Sequence, residues 1–350
     1  MVQAGAPTTA SDRADAARRL ARVLALRGPM LARAVVGHLR PDNGVDAGWR
    51  DRYERARRDL WANDAVFRPT KQWRVISSMF RVMLRGFGLK DFKSTFGRFL
   101  AAYEPYNPRY FEALHHVYLS ALQQRDVWGL LEKLEEPDLG QNDTVVVRGR
   151  RVSMDLLQSI DELYRLVEVA GWSRDQRVTI CEIGAGYGRL AHVVLSAMPN
   201  ARYLVFDLPE SLLLAQYYLT SLHPRSQALL YPESAPASAE ETKRRWAEAR
   251  VAFGLPHQLR SLEPGSVDAV VNIYSFMEMA PAQVAAYFDL IERLDPELLF
   301  IKQHKHEVNL LEDSLLTSKG YPIRPTWKLL HDGTSQLYEN VFEAIYRVRS

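Results

Sequence analysis

The sequence predicts an α/β protein, with a mostly parallel sheet in its C-terminal half and a helical region before it. From Arg177 onward, short apolar runs alternate with helix-like segments, the mark of strands joined by crossover helices. From Ser11 to about Gln124, apolar residues instead recur at helical spacing, and the breaks fall at glycine and proline. Between these regions an apolar strand, Val178 to Ile183, runs into Gly184, Gly186 and Gly188 and then into a helix.

Taken in order, residues 1–10 are small and polar and read as a disordered tail. The helical stretch that follows is interrupted near Gly28-Pro29, Pro41 to Gly48, Gly86 to Gly88 and Pro105 to Pro108. Within Lys71 to Leu84, the residues Trp73, Val75, Ile76, Met79, Phe80 and Met83 lie close to a helical period, as do Phe111, Leu114, Val117, Tyr118 and Leu122 further on. Both stripes read as buried helix faces. Thr144 to Val147 is a short extended segment, and Val152 to Val169 returns to helix.

Strands are then expected at 177–183, 202–207, 251–253, 267–273 and 298–303. Helices are expected at 189–198, 210–222, 241–250 and 281–294, with a loop over 224–240. Lys328 to Leu330 and Val341 to Val348 suit an antiparallel pair closing the sheet. The domain reading is a tail (1–10), a helical region that covers substrate or makes a homodimer contact (11–170), and the sheet domain (171–350).

Composition narrows the class. A chain of 350 residues with 47% hydrophobic content can bury a large core. No apolar run approaches the ~18 residues of a membrane span, and Asp12 and Asp15 precede any apolar segment, unlike a secretory signal. The single cysteine, Cys181, cannot form an internal disulfide and reads as a core thiol; the cytoplasm is the expected compartment. Residues 1–100 hold 20 Lys and Arg against 9 Asp and Glu, and the remainder 25 against 33. The basic residues are spread over amphipathic helices such as Asp12–Arg27 and Asp51–Trp61, which fits solvated faces and argues against nucleic-acid or membrane partners.

The glycine run points to a nucleoside cofactor. Alternating glycines let a turn adopt φ > 0 and let a ligand approach the backbone, and the following helix start presents unpaired N–H groups. A second apolar strand, Tyr203 to Phe206, ends in Asp207, nineteen positions after Gly188, where an acid can hold both hydroxyls of a ribose. A dinucleotide fingerprint would place its third glycine one position later, where Arg189 stands.

The pattern from Glu182 through Gly184, Gly186 and Gly188 resembles motif I of the class I S-adenosylmethionine (SAM) methyltransferases. The resemblance implies a Rossmann-like class I methyltransferase sheet that is mostly parallel with an antiparallel C-terminal strand. It also implies SAM as cofactor, the glycine loop at its methionine half, and Asp207 on its ribose. A closer resemblance rests on Phe206-Asp-Leu-Pro-Glu-Ser-Leu-Leu-Leu-Ala-Gln-Tyr-Tyr-Leu219 and Asn272-Ile-Tyr-Ser-Phe-Met-Glu-Met279. Together with the glycine motif, these are similar to the sugar O-methyltransferase family of the nanchangmycin-biosynthesis type, over roughly residues 178–305. That family implies methylation of a hydroxyl on a small acceptor, such as a deoxysugar or polyketide natural product. Leu208, Asn272 and Tyr274 join the expected cofactor site.

The chemistry can be placed without that resemblance. In a parallel sheet the ligand lies outside the carboxyl ends of the strands, which directs attention to Asn272–Glu278 and to Lys302–Glu307. Attack by an alcohol gains from a general base. His304 is the candidate base, with a hydrogen-bonded structural histidine as its alternative, and His306 competes with it. Glu278 can orient that histidine, bind acceptor hydroxyls or act as base. Tyr274 and Ser275 line the pocket, and His115-His116 suit a structural or lid role. With no paired cysteines and with Gln303 and His304 where clustered carboxylates would bind Mg²⁺, the expected mechanism is metal-free. An N- or C-methyltransferase, a non-catalytic SAM-binding protein and an NAD-dependent oxidoreductase remain as alternatives, because a fold does not fix the reaction.

Overall fold

The computed structural model describes residues 47–94, 108–235, 238–309, 312, 314–336 and 338–349. The expected tail and the helices expected before residue 47 lie outside the described residues.

The N-terminal region begins with α1 (Ala47–Ala62) and α2 (Lys71–Phe87), joined through a short 3-10 turn at Ala65–Phe67. Helix α1 buries Tyr53, Ala56 and Leu60 on one face. Helix α2 starts where the Thr70 hydroxyl accepts from the Trp73 N–H, and ends at Gly88, whose φ of 70° no β-carbon opposes. Then come α3 (Pro108–Gln123), α4 (Leu130–Lys133) and a hairpin of β1 (Val145–Val147) with β2 (Arg150–Val152). Helix α5 (Met154–Ala170) is capped by Ser153, which accepts from Leu156 N–H at 3.0 Å, and stops at Gly171.

The sheet domain follows the expected alternation: β3 (Thr179–Ile183), α6 (Arg189–Ala197), β4 (Arg202–Phe206), α7 (Pro209–Leu222), β5 (Ala228–Leu229), α8 (Ala239–Glu248) and β6 (Val251–Gly254). It continues with β7 (Ala269–Ile273), α9 (Pro281–Leu294), β8 (Leu298–His304), a separate hairpin of β9 (His306–Asn309) and β10 (Ser314–Thr317), then β11 (Lys328–Thr334) and β12 (Val341–Arg347). The eight-stranded sheet has the order β11-β12-β8-β7-β3-β4-β6-β5. All neighbours are parallel except β12, which runs antiparallel to both β8 and β11. This is the mostly parallel sheet with antiparallel end strands that the sequence predicts.

Every residue of β3 and β7 is buried, as strands covered on both faces must be. Ile180, Tyr203, Val205 and Phe300 face the core shared with α5, α6 and α7; Cys181, Leu204, Phe206 and Ile301 face the core shared with α8 and α9. The chain leaves β3 toward β4 on one side and returns to β7 on the other, so the strand order reverses at β3. In open sheets of this kind, ligands bind outside the carboxyl ends of the strands at such a switch point.

The two expected apolar stripes are not wholly buried, since Val75 and Val117 are exposed, and three further features differ from the sequence expectation. The 224–240 loop contains the edge strand β5, too short to show a period. The hairpin β9–β10 follows β8 directly, because the chain turns at Lys305 after His304. Helix α5, which the sequence places in the N-terminal region, packs on α6 and buries twelve residues, Glu162 among them.

Candidate functional site

The three glycines of the β3–α6 loop all adopt left-handed backbone, with φ of 76°, 61° and 86° at Gly184, Gly186 and Gly188, but for different reasons. A β-carbon on Gly184 would lie 2.1 Å from Ser275 Oγ, so this glycine lets the end of β7 close on the end of β3. One on Gly188 would lie 2.9 Å from Leu219 Cδ1, so this glycine packs α6 on α7. A β-carbon on Gly186 would meet nothing within 4 Å. Of these three glycines, Gly186 alone has no described residue near that position.

Beneath that opening lies Asp207 at the end of β4. Its carboxylate accepts from Gly186 N–H at 2.8 Å and from Leu208 N–H at 2.7 Å, which leaves a lone pair on each oxygen for a ligand. Burial pushes this carboxyl up to about 7, against the pull of those two N–H groups. Leu208 therefore contributes its backbone to the site and caps α7.

Two expected cofactor contacts serve the protein itself. Asn272 is fully buried, and its amide donates to Ile183 O (2.7 Å) and Ser275 Oγ (2.5 Å) while accepting from Phe276 N–H (3.0 Å) and Gln303 Nε2 (2.6 Å). All four of its hydrogen-bonding positions are taken, so it latches β3, β7 and β8 together. Glu182 is buried in the core and accepts from the Tyr203 hydroxyl at 2.6 Å; burial pushes its carboxyl up to about 7. Arg189 turns into the core as well, donating to both carboxyl oxygens of Glu162 at 2.6 and 2.9 Å. Glu162 also pairs with Lys302 of β8 at 3.2 Å, and Lys302 with Glu343 at 3.0 Å.

At the end of β8, His304 Nδ1 lies 2.7 Å from Glu307 Oε2. A carboxylate only accepts, so Nδ1 carries the hydrogen and Nε2 of the neutral ring keeps its lone pair. The orienting carboxyl is thus Glu307 rather than Glu278, which the sequence offered for that role. Glu278 accepts instead from the Trp73 indole N–H of α2 at 3.0 Å. Its carboxyl is pushed up to about 7, by burial first and then by the charges of Glu307 and Asp207. His306 opens β9 with its side chain exposed.

Tyr274 holds a left-handed backbone (φ 60°) and donates its N–H to Lys302 O at 2.8 Å. Its ring meets His304 edge-on at 5.7 Å between centroids. Its hydroxyl is buried without a hydrogen-bond partner among the described residues and is pushed up to about 12 by burial.

Helix α2 closes this end of the sheet. Besides the Trp73 contact, Lys71 N–H donates to Glu312, and Asn309 of β9 donates to Glu278 O at 3.0 Å. Tyr53 of α1 donates to Glu210 of α7 at 2.9 Å. Glu307 and Trp73 are the site residues that sequence reasoning missed. The first lies three residues past His304 in plain view, whereas the second was absorbed into an apolar stripe. His115 is buried, its Nδ1 2.8 Å from Phe111 O, in keeping with a structural role, and His116 is exposed. Among the described residues, no group of three or more His, Cys, Asp or Glu is placed to hold a metal ion, and no helix is long and apolar enough to cross a membrane.

No protein-family model and no curated protein matches the chain. Among solved structures, it is similar to a Galdieria sulphuraria protein assigned as a sarcosine dimethylglycine methyltransferase, at 9% identity and a TM-score of 0.40, over 55% of this chain and 86% of that one. It is also similar to a SAM-dependent methyltransferase from Aquifex aeolicus (14%, 0.35, covering 56% and 94%). A third is the glycopeptide N-methyltransferase MtfA complexed with sinefungin (13%, 0.35, covering 53% and 84%). Likeness at this level carries neither substrate nor reaction across.

Proposed function

We propose that this chain is a SAM-dependent O-methyltransferase acting on a small hydroxylated acceptor, such as a sugar or a glycosylated or polyketide natural product. The observation that carries the reading is the pairing of Gly186, the one loop glycine with open space at its β-carbon position, with Asp207 directly beneath it. The buried hydroxyl of Tyr274, whose ring meets His304, has no partner among the described residues and fits a ligand as well. The glycine loop and Asp207 would hold SAM, which supplies an electrophilic methyl group on a sulfonium.

The chain's own residues then account for the proton. Glu307 holds the His304 ring, and Nε2 would take the hydrogen of an acceptor hydroxyl as that oxygen receives the methyl group that bound SAM would supply. Helix α2 shields the region from water through Trp73.

The test is transfer of a labelled methyl group from SAM to a panel of glycosylated and hydroxylated acceptors. His304→Ala is expected to lower turnover by roughly 10²- to 10⁴-fold while leaving S-adenosylhomocysteine affinity unchanged. Turnover at the wild-type rate would remove His304 from the mechanism, and methylation confined to amines would overturn the choice of acceptor.

A further inference from the structure

We propose that Tyr187 is a positioning residue for the glycine loop, anchored to Asp155 so that Gly186 stays in its ligand-ready conformation; this rests on the cofactor reading above. Tyr187 stands between two glycines in left-handed conformation (φ 61° and 86°). Glycine samples such angles freely, so they give the loop no stiffness of their own. Something else must hold the loop in one shape.

On the sheet side, Asp207 holds Gly186 N–H. On the opposite side, the Tyr187 hydroxyl donates to Asp155 Oδ2 at 2.6 Å, and that same oxygen accepts from Asn142 at 3.0 Å. Asp155 belongs to the first turn of α5, just after its Ser153 cap. Asp155, Ser159 and Glu162 fall on one face of that helix. Ser159 accepts from Arg189 at 2.9 Å and Glu162 holds the same guanidinium, so α5 grips the loop on both sides of Gly188.

The Tyr187 ring is fixed too. It packs edge-on against Tyr218 (5.1 Å) and Phe92 (5.3 Å), with the Lys93 ammonium 4.9 Å from its centroid. Phe92 and Lys93 precede α3 in the chain, so the N-terminal region borders the cofactor loop through this ring. None of these contacts touches His304 or Glu307. Tyr187 acts on binding through the loop and takes no part in proton transfer.

Tyr187→Phe keeps the ring and removes only the hydrogen bond, which separates positioning from packing. The S-adenosylhomocysteine Kd is expected to rise roughly 5- to 30-fold, with a matching rise in KM for SAM and little change in kcat. Asp155→Ala removes that bond and the Asn142 contact together, so it should weaken binding at least as much, and the double variant should be no worse than Asp155→Ala alone, because the Tyr187 bond is already lost. In the ligand-free protein, amide hydrogens of Gly186 to Arg189 should exchange faster in Tyr187→Phe. Wild-type affinity together with wild-type exchange in Tyr187→Phe would overturn the proposal, as would fully additive losses in the double variant. Should the wild-type chain bind no S-adenosylhomocysteine, the cofactor reading falls, and the exchange measurement still decides whether Tyr187 anchors the loop.

Discussion

Two substitutions within one motif should fail in different ways, and the difference follows from what a single added methyl group meets. Gly184→Ala places a β-carbon 2.1 Å from Ser275 Oγ and 2.4 Å from Ser275 Cβ, well inside contact distance. Ser275 cannot retreat cheaply, since it donates to Ile183 O and accepts from Asn272, the residue that latches three strands. Overpacking at such a site costs about 1–3 kcal/mol, and forcing alanine to a φ of 76° adds about 1–2 kcal/mol. Gly184→Ala should therefore unfold at a markedly lower temperature. Gly186→Ala bears only the backbone term, because nothing lies within 4 Å of its β-carbon. Its fold should survive with a melting temperature a few degrees lower at most. Its cofactor affinity should fall roughly 10- to 100-fold, because the methyl group occupies the space a ligand would enter. Thermal unfolding and calorimetric titration with S-adenosylhomocysteine measure the two quantities separately. Gly186→Ala binding as tightly as wild type, or Gly184→Ala melting at the wild-type temperature, would contradict these assignments.

Other outcomes follow from the same site. Asp207 must be ionised to accept from two ribose hydroxyls, and burial holds its carboxyl up at about 7, so S-adenosylhomocysteine affinity should climb from pH 6 to 8 and level off above; a flat profile contradicts this. The sign for stability is opposite: between the ordinary value of 3.8 and about 7 the folded chain holds a proton that the unfolded chain releases. This group therefore favours the fold at the acid end of that window and stops doing so as pH rises through about 7, a slope that Asp207→Asn should remove from the unfolding profile. Glu162→Gln leaves Arg189 and Lys302 buried without their shared counter-charge, a loss of about 3–5 kcal/mol. A melting temperature within a degree or two of wild type would show that water or other partners replace it. Glu307→Gln should lower turnover with less effect than His304→Ala, since the ring remains but loses its charged partner; an unchanged rate would mean that Glu307 does not orient His304.

The centre of the sheet was legible because strands such as β3 and β7 are buried on both faces and so read as apolar runs, and because glycine and proline mark the turns between them. Asp207 was legible for a related reason: an acid at a strand end breaks an apolar run. Asn272 and Glu182 stood at equally conspicuous strand-end positions, yet their side chains bond Gln303, Ser275 and Tyr203 within the protein. A strand period tells which face a residue occupies, but not whether a partner from another strand has already taken its polar atoms. The Trp73–Glu278 bond was out of reach for the same reason: it joins residues 205 positions apart. Glu307 stood within the Lys302–Glu307 stretch singled out from the sequence, but only the turn at Lys305 shows that its carboxylate meets the His304 ring.

The most direct test of the cofactor site is calorimetric titration of the purified chain with S-adenosylhomocysteine, run beside NAD and the Asp207→Ala variant. Micromolar binding of S-adenosylhomocysteine is expected, with no heat from NAD and at least tenfold weaker binding by the variant. Binding of NAD instead, no binding of S-adenosylhomocysteine, or equal affinity in Asp207→Ala would contradict the cofactor reading.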